Sequence, residues 1–299
     1  MSAAAVQALP ADVLAARLTT VKYANVSTLV VLVLDYLLTF DLEVNHMWGH
    51  TWGSATLLLF VSRYSPFFDM GTIMYYSLAR NISLTRCNQL HSVFTWLNIS
   101  GIAVGEAILT LRTYALSGQK RGVMLGFAIL FIISTAVGVI SLARFMPTAV
   151  YTKPPLNTPG CFLADGDFVL VAIPYASALL YDIVLVGYTA LFGWRRLRHS
   201  RGPLIGTLFR DGITYFIFLL VVSIINILIV VAGPPGMPGL LNSFLRVVHS
   251  IFSTRALLQV RRTAKKPPLS MSSNINLDIP LDLGLETDDR TAIVRGGRI

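Results

Sequence analysis

Seven apolar runs, each long enough to cross a bilayer, occupy the chain from Tyr23 to about Val260. They lie near 23–40, 54–79, 89–111, 122–143, 168–193, 212–232 and 240–260. A helix needs roughly 20 mostly apolar residues to cover about 30 Å of hydrocarbon. The runs therefore predict an all-α fold, a seven-transmembrane-helix bundle. Composition points the same way, with 54% hydrophobic and only 13% charged residues. A soluble domain of this size needs far more charge to cover its surface. With the bilayer as solvent for most of the chain, most soluble-enzyme readings fall away.

The expected organisation has three parts: an extracellular N-terminal segment at 1–22, a membrane domain at 23–260, and a disordered cytosolic tail at 261–299. The first 21 residues lack a basic patch followed by an apolar core and a small-residue cleavage site, so the first helix is expected to act as the insertion signal. The tail opens on Arg261, Arg262, Lys265 and Lys266, then turns polar and acidic through Asp278, Asp282, Glu286, Asp288 and Asp289. Such a segment cannot bury enough apolar surface to fold. The net charge of +9 resides in short loops between apolar runs. No basic face with interleaved aromatics accompanies it, so nucleic acid is not an expected partner.

Lys and Arg counts orient the spans. The loops after spans three and five, with the proximal tail, hold twelve: Arg112, Lys120, Arg121, Arg195, Arg196, Arg198, Arg201, Arg210, Arg261, Arg262, Lys265 and Lys266. The other side holds six: Arg17, Lys22, Arg80, Arg86, Arg144 and Lys153. The positive-inside rule puts the N-terminus outside and the tail in the cytosol. The charges flanking span one, Arg17 and Lys22 before it and Asp41 and Glu43 after it, favour the reverse, and the larger contrast elsewhere outweighs them. Asn81-Ile82-Ser83 is a glycosylation sequon in a loop predicted to be outside. The expected location is an integral, multi-pass membrane site in the plasma membrane or another membrane of the secretory pathway.

Both cysteines of the chain, Cys87 and Cys161, fall on the predicted outside face. A disulfide forms and persists in that oxidising compartment, and it would pin the Pro-rich loop 151–160 across the mouth of the bundle. Two free thiols are the alternative. The Cys87–Cys161 placement, together with Arg112 in Leu111-Arg112-Thr113-Tyr114 at the cytosolic end of span three, resembles the layout of G-protein-coupled receptors. In that layout a bridge joins the top of helix three to the second outside loop. The chain departs from the pattern by lacking an acid before Arg112, a Trp-x-Pro in span six and an Asn-Pro-x-x-Tyr in span seven.

A second resemblance rests on Tyr23-Ala24-Asn25, Leu34-Asp35-Tyr36-Leu37-Leu38-Thr39-Phe40-Asp41 with Glu43-Val44, Trp48, Arg63-Tyr64-x-Pro66 and Leu111-Arg112-Thr113-Tyr114-Ala115-Leu116. These stretches are similar to the N-terminal signature of a fungal family, largely basidiomycete, of multi-span membrane proteins with a domain of unknown function. The resemblance implies the architecture and assigns no activity.

Ionisable groups inside spans cost roughly 2.5–3.5 kcal/mol on insertion scales, so they face the bundle interior and find partners. Asp35, Arg63 and Glu106 are expected to meet in the inner half, with Arg63 bridging the two carboxylates. That cluster is read either as a structural ion pair or as a protonation or cation switch. Asp69 and Arg246 are expected to pair across an outer, ligand-side cavity, with His249 one turn below Arg246 on the same face. Asp182 has no evident partner. Pro66 and Pro174 each free a backbone carbonyl within a span.

No catalytic constellation is legible, and no cofactor or metal site is expected. His46-x-x-x-His50 lies in a short inside loop without a third ligand. All five lysines, at 22, 120, 153, 265 and 266, fall outside the spans, which excludes a retinal Schiff base. Two functional readings compete. One is a receptor-like sensor of a small-molecule ligand that couples through Arg112, Arg195, Arg196 and Arg198 to a cytosolic signalling partner. The other is a transporter or lipid-handling protein with Asp35, Arg63 and Glu106 as a relay; no internal repeat of the kind that builds many transporters is visible.

Overall fold

The computed structural model describes residues 9–47, 53–117, 120–199 and 203–264, and side chains within 9–45, 56–115, 120–192 and 214–258. Among them are seven long helices: α1 (Ala11–Met47), α2 (Ser54–Leu78), α3 (Leu84–Leu116), α4 (Arg121–Phe145), α5 (Phe168–His199), α6 (Pro203–Ala232) and α7 (Asn242–Ala264). Each overlaps one apolar run. Five of them, all but α2 and α7, are long and apolar enough to cross a membrane. Their outward faces carry exposed Leu, Ile, Val and Phe, as on α4 at Leu125, Ile132 and Ile133. Contiguous apolar surface on this scale is not stable in water, and it is consistent with an integral membrane protein.

The helices pack as a ring in chain order, closed by α7 against α1, with α3 also touching α5 and α7 inside it. Of the seven, α7 is the most completely enclosed: Leu245 to Ile251 are all buried. This accounts for the greater polarity of α2 and α7. Their polar groups answer to neighbouring helices rather than to lipid.

Helix α1 differs from expectation at both ends. It begins at Ala11 rather than near Tyr23, because Ala11 to Lys22 contains no breaker, Pro10 precedes it and Asp12 complements its N-terminal dipole. Leu14 of this extension packs with Phe162 and Ala164, and Leu18 covers the cluster. At its other end α1 continues past Phe40, so Glu43 lies within the helix and not in a loop. The C-terminal boundary shifts as well, because α7 continues to Ala264. Residues 265–299, His50, Trp48, Trp52 and Arg201 lie outside the described residues.

The fold is not purely helical. Between α4 and α5 a two-stranded antiparallel hairpin, β1 (Val150–Thr152) and β2 (Phe162–Asp165), pairs Tyr151 with Leu163. The β-branched and aromatic Val-Tyr-Thr stretch suits a strand. A disulfide joins Cys87, at the start of α3, to Cys161, just before β2, with Cα atoms 5.7 Å apart. Main-chain bonds reinforce it: Gly160 N donates to Ala79 O (2.9 Å) and Cys161 N to Tyr76 O (3.0 Å). Gly160 has φ +95°, and a Cβ there would strike the Ser77 carbonyl, so the tight approach requires glycine. Lys22 Nζ donates to Pro159 O (2.6 Å) and Arg17 Nη1 to Pro235 O (3.2 Å). Two charges that confuse the topology count thus tie down the cap. Tyr151 bonds His91 Nδ1 through its hydroxyl (2.8 Å), and burial pushes its phenol up from the usual range.

Both intrahelical prolines free the carbonyl four residues earlier, and each carbonyl finds a serine. Pro66 frees Ser62 O, which accepts from Ser250 Oγ on α7. Pro174 frees Leu170 O, which accepts from Ser141 Oγ on α4 at 2.7 Å. Neighbouring helices thereby satisfy backbone groups that lipid cannot.

Candidate functional site

The interior divides into a polar half and a cavity half. The polar half lies among α1, α2 and α7, where three ion pairs connect the helices pairwise. Between α1 and α2, Arg63 Nε sits 2.6 Å from Glu43 Oε2. The same guanidinium donates to Thr39 Oγ1 (2.7 Å) and Tyr36 O (3.1 Å) and lies 4.8 Å from the Tyr36 ring centroid. Tyr64 donates to the other oxygen of Glu43, at 3.0 Å. Between α1 and α7, Arg255 Nε reaches Asp35 Oδ1 at 2.7 Å, and the Arg255 side chain is 39% exposed. Between α2 and α7, Arg246 Nε lies 2.9 Å from Asp69 Oδ2, both side chains being 1% exposed.

This arrangement corrects the expected cluster of Asp35, Arg63 and Glu106. Arg63 pairs with Glu43, Asp35 pairs with Arg255, and Glu106 faces another part of the bundle. The physical reason is the length of α1. One further turn of helix carries a carboxylate down beside Arg63, and charged residues at the end of an apolar run are easily read as loop. Glu43 and Arg255 were the residues missed, and Arg255 was findable as a charge within the seventh apolar run.

Asp69, Arg246 and His249 also differ from expectation. The Asp69–Arg246 pair forms, but none of the three lines the cavity between α3, α4 and α5. Arg246 Nη2 donates to Ser65 Oγ (2.6 Å), and Ser62 and Ser253 share a bond of 2.9 Å one turn further on. His249 is buried beneath them. What closes this layer is Gly101-Ile102-Ala103-Val104-Gly105 on α3, a small-xxx-small spacing legible in sequence. A Cβ on Gly101 would lie 2.0 Å from the Arg246 guanidinium, and Gly105 lies against the His249 backbone. Gly101→Ala is therefore expected to destabilise by about 1–3 kcal/mol through overpacking. A Gly105→Ala control, with 3.6 Å of room, is expected to cost less. Thermal melts of the two purified variants check the order.

The cavity half lies between α3, α4 and α5, beneath the hairpin. A cavity of about 100 Å³ is walled by Phe94, Ile102, Leu142, Phe145, Pro174 and Tyr175, with Leu163 and Pro238 also in its lining. It runs down α3 from His91 to Glu106, with Asn98 and Asn242 among its polar lining. Glu106 is 2% exposed and its Oε1 has no hydrogen-bond partner among the described residues. Asp182 on α5 lies within electrostatic reach of it, 0% exposed and with neither carboxylate oxygen bonded. Below them, Thr110 bonds Tyr181 and Thr113 bonds Thr189 (3.1 Å), stitching α3 to α5.

Arg112 is buried in α3, below this layer. Arg195, Arg196 and Arg198 ride on the last turns of α5, where the side chains lie outside the described residues. Asn81 is exposed in the short link between α2 and α3 at φ 59°, and Ser83 of the same sequon caps α3 by accepting from Arg86 N (3.3 Å).

The model of a family of unknown function (DUF6533) matches residues 23–68. That stretch covers most of α1 and the first part of α2 and includes Asp35, Glu43 and Arg63. No curated protein matches the chain, and no solved structure matches it. The chain is thus a membrane protein carrying a domain of unknown function.

Proposed function

We propose that this chain is a receptor-like sensor built from seven membrane-spanning helices, N-terminus outside and tail in the cytosol, of the fungal type that its N-terminal signature resembles. The observation that supports the reading best is the cavity between α3, α4 and α5. It lies under a disulfide-pinned cap and ends on a buried acid beside the α3–α5 contact. Helices α2 and α7 count as spans in this reading, and their packing in the ring between the more apolar helices supports it. A ligand in the cavity would touch α3 and α5 at once, and both helices continue to the opposite end. There Arg112, Arg195, Arg196 and Arg198 would meet a cytosolic signalling partner and the anionic lipid face.

A transporter alternative would need a relay through Arg63 paired with Glu43, Asp35 paired with Arg255, and Glu106 in the α3–α4–α5 cavity. The test is a screen of the purified full-length chain for compounds that raise its melting temperature. Binding to the native state stabilises by about 2.7 kcal/mol at 100 times Kd. Stabilisers are expected to lose their effect in Ala103→Leu, which fills the cavity. Compounds that stabilise Ala103→Leu as strongly as wild type would remove the cavity from the proposal. Coupling is tested separately by deleting 195–201: a deletion variant that folds, reaches its membrane and still signals ends that part.

A further inference from the structure

The cavity is unbalanced in its hydrogen-bonding chemistry. Three of its lining atoms, Glu106 Oε1, Thr135 Oγ1 and Asn242 Oδ1, are buried without a hydrogen-bond partner among the described residues. No Lys or Arg lines it. The buried guanidinium of Arg246, on α7, pairs with Asp69 through Nε and donates to Ser65 through Nη2, and His91 is bonded to Tyr151. A buried carboxylate without a donor is costly, so an occupant that brings an N–H donor and a positive charge gains the most.

The rest of the lining restricts that occupant. A hard metal ion wants six or more oxygens, and among the described residues no three His, Cys, Asp or Glu side chains gather to hold one. The walls are instead apolar and aromatic, with Phe94, Phe145, Phe168 and Tyr175 along the approach to Glu106. Such walls favour an apolar body and the flank of a cation. An anion would find two carboxylates and no counter-charge.

We propose that the α3–α4–α5 cavity binds a small amphipathic amine, its ammonium paired with Glu106 and its apolar body held by the aromatic walls. Asp182, behind Glu106, adds negative potential without reaching the ligand. The inference rests on the cavity being the ligand site and adds the ligand's charge and shape.

The test uses the full-length chain in lipid nanodiscs and three probes of one scaffold: 2-phenylethylamine, 2-phenylethanol and 3-phenylpropanoate. Calorimetry and melting temperature are read for each. The amine is expected to bind at least tenfold tighter than the alcohol, and the carboxylate not at all. Glu106→Gln is expected to weaken the amine at least tenfold and to leave the alcohol within twofold, while Glu106→Asp keeps the preference for the amine. The three-probe comparison on wild type stands even where a Glu106 variant fails to fold. If the alcohol or carboxylate binds as well as the amine, and Ala103→Leu abolishes that binding, the inference fails and the ligand site survives. A carboxyl that simply stays neutral would give that result. If none of the three binds, the inference fails whatever a broader screen returns.

Discussion

Arg246→Met is expected to cost the fold about 3–5 kcal/mol, the typical loss when one partner of a buried ion pair is removed. Arg246 and Asp69 are each almost wholly buried, so deleting the guanidinium leaves a buried carboxylate without its counter-charge. The methionine also gives up the bond to Ser65 and the contact over Gly101. Against a total stability of about 5–15 kcal/mol, the single variant is expected to aggregate or melt far below wild type. Removing both charges separates the charge effect from the packing effect. Asp69→Leu with Arg246→Met is expected to recover most of the loss, because apolar replacement of a buried pair is often neutral or stabilising. A double-mutant cycle by thermal melt and size-exclusion profile measures the coupling. If Arg246→Met melts like wild type, the pair contributes nothing to the fold.

Removing the disulfide is the second large effect. Cys87 and Cys161 are 74 residues apart, and loss of a native bridge typically costs about 2–5 kcal/mol. Cys87→Ala with Cys161→Ala is expected to loosen the hairpin first. Hydrogen exchange at 150–165 should rise well before exchange in α5 or α6, since the cap is then held without a covalent link, by main-chain bonds to α2, the Lys22 contact, the Tyr151–His91 bond and the packing of Leu14 on Phe162 and Ala164. The chain has no other cysteine, so the same bridge reports orientation without background. In intact cells, a membrane-impermeant reductant followed by an impermeant maleimide is expected to label both thiols. For chain shown to be at the cell surface by surface biotinylation, labelling that requires permeabilised cells would reverse the proposed topology.

The seven helices and the Cys87–Cys161 bridge were legible because each depends on a local property. An apolar run of sufficient length has one stable form in lipid, and the run boundaries match the helices except where charge or polarity at an end was read as loop. That exception hid Glu43. The cluster of Asp35, Arg63 and Glu106 failed for a different reason. Depth along each helix placed the three at similar heights, but height carries no information on helix rotation. Rotation sends Glu106 toward α4 and α5 and Arg63 toward α1. The cavity itself was not legible, since its walls are ordinary apolar residues contributed by three helices and a hairpin.

Hydropathy and charge spacing alone establish that this chain lives in a membrane, how many long helices it has, and that each buried charge must find a partner. Tertiary structure alone decides which partner: Glu43 for Arg63, Arg255 for Asp35, Asp69 for Arg246, and none among the described residues for Glu106 Oε1. The cost of an unpaired charge in hydrocarbon is a property of one residue. The relief of that cost is a property of two helices brought to a particular crossing, and for α3 and α7 that crossing is set by glycines at 101 and 105.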